Sequence, residues 1–176
     1  HVHLNARKMT EQHIATLLLG YVTVEPLLFK FAGKHRMSNH FTIPLERSTL
    51  TAPLGKFLRL FEKGVVGSVV QLAESWYKYG SINLRPLIEG EGGARRKPLG
   101  TIEFRHMEGT DDVNRILTWI NILLSLKKWA KNTPYDTAKA TILALNTTSA
   151  YSEFIREIFG DVAKLLIGVD LQQEIE

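Results

Sequence analysis

The chain has 176 residues, 44% apolar and 23% charged, an ordinary balance for one globular domain with a buried core. Its 22 basic and 18 acidic residues leave a formal charge of +4, which suits phosphate or carboxylate ligands. No long basic block accompanies it, which argues against nucleic acid. The absence of cysteine excludes disulfides and thiolate-bound metals and fits a reducing compartment. The apolar runs fall short of the ~18–20 residues of a membrane span, and no signal peptide is visible. The expectation is a cytoplasmic protein, or a viral or phage-encoded intracellular one, without a membrane partner.

The opening HVHLN alternates His1, His3 and Asn5 with Val2 and Leu4, the period of a half-buried strand. Thr10, followed by Glu11, caps a helix that runs to Gly33, and Pro26 should kink or split it near Val24 and Glu25. The segment KHRMSNHFTIPLERS is irregular, with at most a short extended piece at Phe41–Pro44. A helix with Pro53 in its first turn continues to about Lys63, where Gly64 ends it. VVGSVVQLAESWYKYG reads as another helix, stopped at Gly80. SINLRPL and GTIEFRH read as strands, and IEGEGGARRKPL between them as a hairpin loop. Thr110 should cap a long helix whose apolar face includes Ile116, Trp119, Ile120, Leu123 and Leu124. Helices over Pro134–Ala144, about Ser149–Phe159 and Val162–Ile167 complete the chain before LQQEIE. The predicted class is α+β: short antiparallel strands backed by helices, with a helical C-terminal region.

Three of these stretches share one design. HVHLN carries His1, His3 and Asn5 on its polar face, SINLR carries Ser81, Asn83 and Arg85, and TIEFR carries Thr101, Glu103 and Arg105. In a common sheet the apolar residues would make one face, covered by helices. The other face would gather two histidines, a carboxylate, two arginines and amides. Glu103 with His1 or His3 could hold magnesium, manganese or zinc. Arg85 and Arg105 offer planar donor forks to phosphate or carboxylate oxygens. A metal beside two arginines suits phosphoryl transfer, where catalysis is mostly positioning and charge neutralisation. Taken singly, an H-x-H is more often an exposed strand pair and an E-x-R a surface charge pair.

GTIEFRHMEGTDDVNRILTWINILLSL resembles the signature of the amidoligases, relatives of glutamine synthetase and glutamate–cysteine ligases. The matching residues are Thr101, Ile102, Glu103, Phe104, Arg105, Glu108, Gly109 and Thr110, with Trp119 downstream as the inward-facing tryptophan. The H-V-H opening is similar to that family's histidine strand. RMSNHFTIPL is similar to its R-x-x-N-x-Y-x-x-P-L element through Arg36, Asn39, Pro44 and Leu45, with Phe41 replacing Tyr. KYGSINLRPL resembles the strand before the signature. The likeness covers about residues 1–130 in order.

The resemblance implies a glutamine-synthetase-like sheet and an ATP-dependent carboxylate–amine ligase using Mg2+ or Mn2+ and an acyl-phosphate. On this reading His1 and Glu103 are metal ligands, and His3 lies near the phosphates. Arg85, Arg105 and Arg36 steady the carboxylate and the transferred phosphoryl group. Arg95 and Arg96, with Lys97, either cover ATP or form a solvated hairpin tip. Glu108 is either a late-site carboxylate or an anchor for the turn into the next helix. Residues 1–131 would then be a catalytic-domain fragment, and 132–176 a helical segment packed on it. The family's upstream half, with its paired glutamates, would have to come from a segment or chain outside this sequence, which opens at the histidine strand. The expected partners are small-molecule or peptide carboxylate and amine substrates, and an upstream segment or second chain completing the site.

Two other readings stay open. One is a non-catalytic structural or interaction protein on a degenerate ligase-like fold. The other treats His1 as a mature terminus, whose amine, backbone and His3 chelate Cu(II) or Ni(II).

Overall fold

The alternating stretches from the start and middle of the chain meet in one antiparallel sheet. The computed structural model describes residues 1–90 and 97–167. Strands β1 (Val2–Asn5), β2 (Ile82–Asn83) and β3 (Thr101–Phe104) lie in the order β1-β3-β2. β3 pairs His3 with Glu103 on one side and Asn83 with Glu103 on the other. One face therefore carries Leu4, Ile82, Ile102 and Phe104, all buried.

Helix α1 (Glu11–Ala32) lies at the centre of the core. Thr10 caps it: its hydroxyl accepts the His13 N–H at 3.2 Å, and His13 Nδ1 accepts the Thr10 N–H at 3.1 Å. This is a capping box with histidine in the acidic partner's position. The expected break at Pro26 does not occur, and the segment is helical on both sides of it. Proline withholds one donor from the carbonyl four residues back. That residue is Val22, and burial of Val24, Leu27 and Leu28 holds the flanking turns. By length and composition α1 could cross a membrane, yet 67% of its most apolar window is buried inside the fold. It reads as a core helix.

Around it stand α2 (Thr51–Glu62), α3 (Ser68–Glu74), α4 (Val113–Asn132), α5 (Tyr135–Leu143), α6 (Thr148–Phe159) and α7 (Ala163–Ile167). α3 is shorter than its apolar pattern suggested. Gly67, at φ 80°, lies in the left-handed region just before it. Trp76 has left the helix and donates Nε1–H to the Ile82 carbonyl at 2.8 Å. The strand expected over SINLRPL stops at Asn83, because residues Arg85–Leu87 turn into a 3-10 helix with Pro86 inside it.

α4 begins two residues later than expected. Asp112, not Thr110, accepts the Arg115 N–H at 3.1 Å, and Thr110 instead accepts the Asp112 N–H. Its buried face is Trp119, Ile122, Leu123, Leu126 and Trp129, so Ile116 and Leu124 point outward. α1 and α4 approach closely here: a Cβ on Gly20 would lie 2.5 Å from Trp129 Cζ3. α5 and α7 pack on α1 and α6 packs on α4, so the described part of the C-terminal segment shares the core.

Candidate functional site

Glu103 lies in the central strand, flanked on both sides by polar partners. Its side chain is 8% exposed. Oε1 is 2.8 Å from His1 Nδ1, accepts from Arg105 Nη1 at 2.9 Å, and lies 3.8 Å from His3 Nε2. Oε2 accepts from Asn83 Nδ2 at 2.7 Å. His3 Nδ1 contacts Thr101 Oγ1 at 2.9 Å. A buried carboxylate needs such donors, since each unmet lone pair would carry the full cost of desolvation. His1 and His3 remain exposed above it. The result is an acidic floor under two imidazoles with a guanidinium at its side.

Other predicted residues go elsewhere. Arg85 leaves the sheet and pairs with Glu89 four residues on, an ion pair that raises the arginine's pKa and lowers the carboxylate's. Arg36 is a strap: Nε donates to the His106 carbonyl at 3.0 Å and Nη2 to the Arg105 carbonyl at 3.3 Å. It thereby holds the chain leaving β3. Arg95 and Arg96 lie outside the described residues. Glu108 sits between His35 Nε2 at 3.0 Å and Arg115 Nη1 at 2.7 Å, and Arg115 Nη2 also reaches the Phe31 and Ala32 carbonyls at the end of α1. Those contacts fit the turn-anchoring role.

Ser81 parts company with Asn83 and joins a buried network that the alternating pattern did not reveal. Glu25 Oε1 accepts from Tyr21 Oη at 2.6 Å and from Ser81 Oγ, while both Glu25 oxygens accept the Leu45 N–H at 3.1 and 3.0 Å. His106 Nε2 lies 3.0 Å from Tyr21 Oη. With the phenol donating to Glu25, this contact requires the Nε2–H tautomer and leaves Nδ1 buried without a partner. Burial raises the Glu25 pKa against the lowering effect of its three donors, and it raises that of Tyr21. Burial, reinforced by the Arg36 charge, lowers His106 to about 3. A sequence signal existed: Tyr21 and Glu25 stand four apart in the apolar middle of α1, where a carboxylate must find donors.

An apolar pocket of about 390 Å³ lies between α1, α2 and the 34–47 segment, lined by Val22, Pro26, Leu54 and Leu58 with Glu25. None of its lining residues belongs to the Glu103 face.

Among the described residues no three His, Asp or Glu side chains stand as a ready metal cage. A metal held by His1, His3 and Glu103 would need further ligands: the one carboxylate oxygen and two imidazoles would be acceptable donors to manganese or zinc, and magnesium would need more oxygens from water or phosphate. The copper reading fares worse, because it requires the backbone at Val2 and His3 to wrap around a metal. That backbone is extended and paired with β3.

No family model, curated protein or solved structure matches the chain. The resemblance to the amidoligases therefore rests on the sequence motifs alone.

Proposed function

We propose that this chain carries the metal- and phosphate-facing sheet of an ATP-dependent carboxylate–amine ligase on a glutamine-synthetase-like fold. One observation carries the reading: His1, His3, Asn83 and Arg105 all converge on the Glu103 carboxylate, on the face of the sheet opposite the apolar core. In that chemistry the γ-phosphoryl group leaves ATP for a substrate carboxylate, giving an acyl phosphate and ADP. An amine nitrogen then bonds to the acyl carbon as phosphate departs, and the nitrogen loses its proton. His1 and Glu103 would hold a divalent cation, with His3 alongside, and that cation would supply charge neutralisation at the phosphates. Arg105 is the residue of this face suited to the transferred phosphoryl group, through the guanidinium edge it now turns to Glu103. Asn83 fixes the carboxylate's rotation.

The second reading is a non-catalytic interaction protein on the same fold. It is favoured by the Glu103 oxygens already being filled by Arg105 and Asn83. Calorimetric titration of the chain with Mn2+ and ATP separates the two. The ligase reading expects metal-dependent ATP binding, weakened about tenfold or more in Glu103→Gln. No binding by the unaltered chain would leave the interaction reading in possession.

A further inference from the structure

Helix α4 carries a second apolar face that the core does not use. Val113, Leu117 and Leu124 are 64%, 53% and 46% exposed, Ile116 is exposed beside them, and Ile120 is half-buried. Val113, Leu117, Ile120, Leu124, Lys127 and Lys131 follow one another in alternating steps of four and three residues. That spacing draws one stripe along a helix and is the seam spacing of paired helices. The stripe is separate from the buried face of Trp119, Ile122, Leu123 and Leu126. Contiguous aliphatic side chains on a surface mark a contact with another molecule.

Charge along this helix is confined to its ends. Between Asp112 and Lys127 the sequence has one charged residue, Arg115, and its guanidinium is committed to Glu108 and to the carbonyls at the end of α1. Asp111 and Asp112 precede the first turn, while Lys127, Lys128 and Lys131 crowd the last turns. An uncharged apolar centre with charge at its margins is the anatomy of a protein–protein contact.

The polarity of the stripe identifies the occupant. Laid antiparallel on a copy of itself about Ile120, α4 sets Leu117 against Leu124 of the second copy, three and four residues from the centre. Val113 falls on the alkyl stem of Lys127, seven residues to either side. Asp112 meets Lys128, eight residues to either side, and Asp111 approaches Lys131. Each acidic end thus finds a basic end, whereas a parallel pairing would set lysines on lysines and aspartates on aspartates.

We propose that the outer face of α4 is a self-association surface, on which two copies of this chain pair antiparallel about a two-fold axis near Ile120. Such a contact is isologous, with the same patch used by both copies. It does not depend on the ligase reading. The 20 residues of α4 make a helix about 30 Å long, so pairing along it alone is at the small end of specific interfaces and the dimer should dissociate in the micromolar range.

Sedimentation velocity of the full chain between about 1 and about 300 μM should show a reversible monomer–dimer equilibrium. Leu117→Asp should weaken it about tenfold or more, and the exposure of Leu117 should leave the circular-dichroism spectrum unchanged. The chain has no cysteine, so single cysteines report the pairing directly. A short bismaleimide should join two copies of Ile120→Cys, because residue 120 faces itself across the axis. It should not join Val113→Cys, whose counterpart would lie fourteen residues along the helix, about 21 Å away. A monomer throughout the concentration range overturns the proposal, as does a dimer indifferent to Leu117→Asp. Equal cross-linking of the two cysteine variants overturns the antiparallel pairing.

Discussion

Asn83 donates its side-chain amide to Oε2 of Glu103 at 2.7 Å, while its own Oδ1 accepts the backbone N–H of Arg85 at 3.1 Å. The amide is thereby oriented from one side and orients the carboxylate on the other, leaving Oε1 to His1 and Arg105. Because both residues are buried, water cannot easily replace either partner.

Asn83→Ala should therefore destabilise the fold by about 1–3 kcal/mol, the cost of leaving a buried acceptor unmet. Asn83→Asp should cost at least as much, since it sets a second carboxylate against Glu103. Urea denaturation gives both values. Wild-type midpoints for the two variants would mean that the hydrogen bond holds nothing in place.

His106 makes stability depend on acid. Its folded pKa of about 3 lies well below the ordinary 6.5, so between those values the unfolded chain takes the proton and the folded chain does not. Its contribution is complete above about pH 6.5 and declines as pH falls toward 3, by at most about 1.4 kcal/mol per unit. Glu25 runs the other way: its folded pKa is raised, so what it contributes is present in acid and lost as pH rises through that folded value. His106→Phe keeps an aromatic ring beside Phe29 and Trp119 but cannot titrate. Denaturation midpoints of this variant should change less between pH 6.5 and 5 than those of the wild type. An unaltered pH slope would show that another group governs acid sensitivity.

Gly20 sets how closely α1 and α4 approach. With Trp129 Cζ3 2.5 Å from where a Cβ would lie, Gly20→Ala forces the indole or the helices apart. The overpacking should outweigh alanine's helix preference of about 1 kcal/mol and give a net loss of about 1–3 kcal/mol. A thermal melt reads it directly. A more stable Gly20→Ala protein would mean that the helices part without penalty.

Local chemistry made much of this protein legible in the sequence. Strict alternation marked β1 and β3, and with them the shared face of His1, His3 and Glu103, because side chains two apart on a strand must point the same way. Thr10, Gly33, Pro53 and Gly64 marked helix ends through capping and turn preferences that depend on few neighbours. Tertiary structure decided the rest. Pro26 stays within a helix because the surrounding core outweighs one missing hydrogen bond. Ser81 turns to Glu25 rather than to Glu103, since a carboxylate buried inside a helical core must recruit donors from distant segments. Arg85 leaves the face because its strand ends at Asn83, and α4 buries Ile122, Leu126 and Trp129 rather than Ile116 and Leu124 according to what it packs against. Each of these outcomes depends on partners far away in the chain, and the spacing of residues along one segment carries no record of them.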